Sequence, residues 1–163
     1  MTVPRLATIG VYGFDEAGFF AALQRAGVDV FCDIRRRRGV RGSAYAFANS
    51  ARLQHRLALV GIRYFHCIEL APGLEMRRLQ TNADEVSGIA KRNRAVLSPE
   101  FVEAYRREQL ANFDSSAFLA QFGSDATKVA LFCVEREPAA CHRSLLAERL
   151  ALDLSLEVEH LLP

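Results

Sequence analysis

The residues best placed to do chemistry in this sequence fall in one run, Cys133-Val134-Glu135-Arg136-Glu137-Pro138-Ala139-Ala140-Cys141-His142-Arg143. It carries a thiol at each end of a carboxylate and proline turn, then an imidazole and a guanidinium. The pattern reads as a strand leaving the core, a turn, and a helix that starts at Cys141. Unpaired N–H groups and the dipole at a helix start favour negative charge, which biases a thiol there toward thiolate and suits a bound phosphate. Cys141 is therefore a candidate nucleophile, Glu135 and His142 are candidate proton-transfer groups, and Arg143 is a candidate anion clamp. The plainer alternative is packing: Cys141 and His142 each precede a leucine, Leu145 and Leu146, by one helical turn, and buried thiols are usually inert.

A second set begins at Asp33-Ile34-Arg35. A carboxylate in the apolar run Phe31-Cys32-Asp33-Ile34 needs a partner if it is buried, so Asp33 is expected either to pair with an arginine, Arg143 being a candidate, or to face a ligand together with Arg35. Arg35 to Arg38, with Arg41, Arg52, Arg56 and Arg63, makes a basic stretch that would attract phosphate, although such a loop is often only a solvated face. Tyr45 and Phe47 are too few to make a base-stacking platform. His66 is a candidate binding residue, with Glu69 close by in sequence. Cys133, Cys141 and His142, with Cys67, offer zinc-ligand atom types. The eight-residue cysteine separation and the adjacent Cys-His depart from paired-ligand spacing, so no metal and no cofactor are expected.

These groups need a scaffold to position them. The 163 residues, half of them hydrophobic, suit a single domain, 1–163, with one core. Apolar runs 6–11, 28–34, 62–67, 128–134 and 156–161 read as strands. Helices are expected over 15–27, after Asn49 or Ser50 until Gly61, between 84 and 96, from Ser98-Pro99-Glu100 to about 112, over 116–122 and over 142–152. Strand–helix alternation argues for a three-layer, Rossmann-like α/β domain with a mainly parallel sheet of about five strands. Such a sheet binds ligands beyond the carboxyl ends of its strands, where the loops carrying Asp33, His66 and Glu135 would gather.

The apolar runs are far too short to span a bilayer, and the N-terminus does not read as a signal peptide, so a cytoplasmic protein without membrane contact is expected. Cys32, Cys67, Cys133 and Cys141 lack the spacing of a disulfide scaffold and are expected to be free thiols. The net charge is +2, with nearly all the positive charge on arginine, which suits planar binding of phosphate or carboxylate but also follows from genomic codon bias.

The segment Cys-x-Glu-x-x-Pro-x-x-Cys-His-Arg at 133–143 resembles the signature of the domain-of-unknown-function 488 family. Thr8-Ile9-Gly10, Asp33-Ile34-Arg35, Tyr64-x-His66 and His160-Leu161 extend the resemblance over nearly the whole chain. It implies an α/β fold and a site built from Asp33, Arg35, His66, Glu135, Cys141, His142 and Arg143, and it brings no established reaction. The arginines after Asp33-Ile34-Arg35 stand where the family commonly has a proline soon after, and Ala71-Pro72-Gly73 replaces its usual Leu-Gly-Gly-type turn. The leading expectation is an enzyme that binds an anionic small molecule or nucleic acid. In it Arg35 and Arg143 hold the anion, Asp33 orients an arginine, and Cys141, His142 and Glu135 do the chemistry. The alternatives are a non-catalytic nucleic-acid-binding or regulatory module and a thiol redox sensor at Cys141.

Overall fold

The computed structural model describes residues 2–163. Strands β1 (Arg5–Ile9), β2 (Val30–Asp33), β3 (Arg63–His66), β4 (Lys128–Phe132) and β5 (Val158–Leu161) form one all-parallel sheet in the order β3-β2-β4-β1-β5. The central strand β4 and its neighbour β1 align Leu6 with Val129 through Ile9 with Phe132, and all of these side chains are buried. Covered on both faces, such strands read as unbroken apolar runs rather than as alternating ones.

Helix α1 (Glu16–Arg25) starts where Asp15 Oδ1 accepts a hydrogen bond from Gly18 N at 2.7 Å. Its Phe19 ring lies edge-on to Phe31 of β2 and Phe132 of β4. Helix α2 (Ser50–Leu59) joins this layer through Leu53 and Leu57, and Glu16 ties the two helices together by accepting from Arg52 and Arg56. Helix α3 (Leu74–Ser87) packs on α4 (Pro99–Tyr105), which passes into a π-helical turn at Arg106–Leu110. Helices α5 (Ser115–Ala120) and α6 (His142–Leu154) complete the cover, with α6 lying against β1, β4 and β5. The result is the three-layer Rossmann-like α/β arrangement. No helix among the described residues is long and apolar enough to cross a membrane.

Two features of the frame set the position of the site. The chain lays down β1, β2 and β3, then returns to insert β4 between β1 and β2. This reversal of strand order opens a crevice at the carboxyl edge, between the loops after β2 and β4. The second feature is Gly10, just past β1. A Cβ there would stand 1.9 Å from the Glu135 carbonyl oxygen, so only glycine lets the two chains pass this closely.

Helix α3 departs from the expectation from sequence. The helix sought between 84 and 96 runs instead from Leu74 to Ser87, and Gly88 in the left-handed conformation ends it. Only Met76 and Gln80 of α3 are buried, so an apolar period is missing from the sequence. The start after Ser98 is as expected, with Ser98 Oγ accepting from Phe101 N.

Candidate active site

A cleft of about 700 Å³ opens at the carboxyl edge, within the usual size range of small-molecule sites. Cys133, Glu135, Cys141 and His142 line it from the β4–α6 connection, Arg35, Arg36 and Arg37 from the loop after β2, and Arg77, Gln80, Thr81 and Asp84 from α3. The polar side of α3 thus faces the cleft, which is why its sequence lacks an apolar stripe.

Cys141 is the residue immediately before α6, in extended conformation, and its Sγ lies 3.8 Å from His142 Nδ1. His142 Nε2 lies 3.1 Å from the Ile34 carbonyl oxygen. A carbonyl only accepts, so Nε2 carries the hydrogen and Nδ1 turns toward the sulfur. Cys133, leaving β4, brings a second thiol to the same place: its Sγ, Cys141 Sγ and a ring nitrogen of His142 all lie within 4.8 Å of one another. Burial alone would push the Cys141 thiol up. The hydrogen bond with Cys133 and the His142 and Arg143 charges outweigh it and hold Cys141 well below the usual thiol range. The hydrogen bond to Cys141, then burial, drive Cys133 well above that range. Burial works against the His142 cation, but the Cys141 thiolate raises this histidine above the usual imidazole value.

Glu135 is buried, and burial followed by the Cys141 charge raises its carboxyl pKa against the opposing pull of Lys91 and Arg94. Its Oε1 meets Arg94 Nη2 at 3.1 Å and Lys91 Nζ at 3.4 Å, while Oε2 has no hydrogen-bond partner. Arg94 also donates to Asp84 Oδ2 at 2.7 Å and to the Ala140 carbonyl, tying α3 to the loop before α6. Arg77, from α3, also lines the cleft, and its Nε is likewise buried without a partner among the described residues. Arg94, Lys91 and Arg77 lie in a stretch that no apolar period marks. Five cations within residues 77–94, Arg77, Arg78, Lys91, Arg92 and Arg94, are the signal the sequence offers there.

The other candidates fall into separate arrangements. Asp33 pairs with Arg35, not with Arg143: its carboxylate accepts from Arg35 Nε at 2.9 Å and Nη2 at 2.8 Å, and from the Tyr64 hydroxyl at 2.7 Å. Burial, then the bond to Asp33, pushes the Tyr64 phenol up to about 12. Arg35 also donates to the Ala48 carbonyl and stacks over Phe132, while still lining the cleft. Arg143 is fully buried and donates to the carbonyls of Glu135 at 2.6 Å and Arg136 at 3.0 Å, which fixes the shape of the β4–α6 loop. His66 Nε2 donates to the Arg35 carbonyl at 2.7 Å, outside the cleft lining, and Glu69 is exposed. Glu135, Cys141 and His142 come together; Asp33, Arg35, Arg143 and His66 hold the loops around them.

Fold and cleft together define a parallel α/β domain with a polar ligand-type crevice at the reversal of its strand order. The chain belongs to the family described as Domain of unknown function DUF488, which it matches over residues 17–150. No curated protein and no solved structure matches it significantly.

Proposed function

We propose that this protein is an enzyme acting on a small, phosphate-bearing anion of about nucleotide size. The supporting observation is that two of the three buried polar atoms without partners among the described residues, the Arg77 Nε donor and the Glu135 Oε2 acceptor, belong to residues lining the cleft; the third, Arg143 Nε, lies outside it. Buried polar atoms without partners are costly, so a donor and an acceptor left open in one cleft favour a ligand that meets both. The ligand brings negative charge to Arg77 and a hydrogen-bond donor to Glu135. Arg36 and Arg37, exposed at the rim and without a carboxylate partner among the described residues, draw the anion in. Glu135 is the proton-transfer group, and Cys141 and His142 form the floor against which the reacting group sits. Asp33 and Arg143 act by positioning, through Arg35 and the β4–α6 loop.

A cleft of about 700 Å³ is of a size for a small molecule rather than for a length of nucleic-acid backbone, which favours this reading over a nucleic-acid-binding module. Calorimetric titration with phosphate, pyrophosphate and nucleotides should give saturable binding that Arg77→Ala weakens about 10-fold, or ~1.4 kcal/mol. Failure of all these anions to bind at millimolar concentration, alongside salt-sensitive binding of random oligonucleotides, would replace the enzyme with the module. The thiol-sensor reading has one observation in its favour: the fold sets Cys133 beside Cys141 as a partner thiol.

A further inference from the structure

We propose that Cys133, Cys141 and His142 are the protein ligands of a divalent zinc-type ion whose fourth position opens into the cleft. This deepens the reading above by assigning an occupant to the floor of the cleft, and it stands on different atoms from the Arg77 wall.

The donor set comes first. Two cysteine sulfurs and an imidazole nitrogen lie within 4.8 Å of one another. A tetrahedral zinc ion with bonds of about 2.3 Å to sulfur and about 2.0 Å to nitrogen holds such atoms roughly 3.6–3.8 Å apart. The Cys141 Sγ to His142 Nδ1 separation is already 3.8 Å, so closure needs a contraction of at most about 1 Å. Sulfur and imidazole suit zinc and its borderline neighbours, and do not suit magnesium or calcium, which take oxygen ligands.

The second observation is independent of proximity. Histidines that bind a metal through one nitrogen characteristically donate the other N–H to a carbonyl or carboxylate, which fixes tautomer and ring orientation. His142 has this arrangement: Nε2 donates to Ile34 O, leaving the Nδ1 lone pair turned toward the sulfurs. The lone pair can hold a proton shared with the Cys141 thiolate, or the ion that displaces it. The N–H of a merely packed histidine has no need to leave its lone pair beside two thiols.

The third concerns access and the open position. All three ligands are buried, yet all three line the cleft, so an ion has a route in. Cys67, the other thiol weighed as a ligand, is taken up elsewhere, with its Sγ 3.2 Å from Cys32 Sγ. Three protein ligands with no fourth in the cluster among the described residues is the pattern of a catalytic site rather than a closed structural one. The fourth position would take a water or a substrate oxygen, and the unpaired Glu135 Oε2 stands in the same cleft lining to exchange its proton.

The test is cobalt titration of the full chain in a non-chelating phosphine reductant, following sulfur-to-cobalt charge-transfer absorption. One Co²⁺ per chain should bind with bands of a tetrahedral sulfur-ligated ion, and Zn²⁺ should displace it. Cys133→Ser, Cys141→Ser and His142→Ala should each weaken binding at least ~100-fold, while Cys67→Ser should leave it unchanged. Circular dichroism confirms that each variant is folded, and the wild-type spectrum stands on its own if one is not. Absence of the charge-transfer band in folded, reduced wild-type protein overturns the proposal. So does a band that survives in the Cys133→Ser, Cys141→Ser double variant, which would put the ion at another site. Neither result depends on anion binding, so the metal site and the Arg77 wall fail separately. A shift of the cobalt bands on adding phosphate would join the two.

Discussion

Two pairs of cysteines meet in this protein, Cys32 with Cys67 and Cys133 with Cys141, and all four are free and buried. Burial does not distinguish them: Cys141 is 1% exposed and Cys32 is 0% exposed. Their neighbours do. Cys32 and Cys67 sit outside the lining of the cleft, and burial followed by the Cys67 contact keeps the Cys32 thiol well above its usual range. The second pair has His142 and Arg143 on the next two positions and a cleft over it. Contact between two thiols is thus common to both pairs. Only the second adds a cation, a turned imidazole and a route to solvent.

Arg143→Ala should break the comparison most severely. It leaves the carbonyls of Glu135 and Arg136 without the buried guanidinium that donates to them, and should cost on the order of 3–5 kcal/mol in urea unfolding. A loss below about 1 kcal/mol would show that water replaces the guanidinium and that Arg143 does not set the loop.

The next effect is kinetic. After removal of metal by a chelator, native protein treated with iodoacetamide should be modified at the cleft pair at least ~10-fold faster than at Cys32 and Cys67, located by mass spectrometry. Equal rates at all four cysteines would erase the distinction. The smallest effect sharpens it from the other side. Cys67→Ala should cost only about 1 kcal/mol, the loss of a small packed side chain, and should leave modification of the cleft pair unchanged.

Much of this arrangement was legible from residue order, and the exceptions share a cause. The strands declared themselves because burial on both faces leaves unbroken apolar runs, and Ser98-Pro99-Glu100 marked a helix start through chemistry local to three residues. Helix α3 was missed because its Arg77, Gln80, Thr81 and Asp84 line the cleft where core residues would otherwise make a period. Polar residues facing the cleft there overwrite the pattern that reveals a helix. Asp33 was assigned a distant candidate partner, Arg143, yet it pairs two residues on with Arg35, since the guanidinium of Arg143 is already committed to carbonyls. The meeting of Cys133, Cys141 and His142 was discounted on spacing. A strand end and a helix start facing each other across a proline turn bring them together regardless of the interval between them.

The insertion of β4 between β1 and β2 also has a consequence for biosynthesis. Roughly 120 residues separate the end of β1 from the start of β4, so at cellular rates of synthesis the first strands wait on the order of 10 s for the neighbour that lies between them. Until then both present an unpaired apolar edge to the cell, and the segment that builds the cleft cannot take shape before the sheet is closed. A ribosome-stalled chain ending before Lys128 should be digested by protease where the released full-length chain resists. Equal resistance would show that β1 and β2 find a provisional partner while they wait.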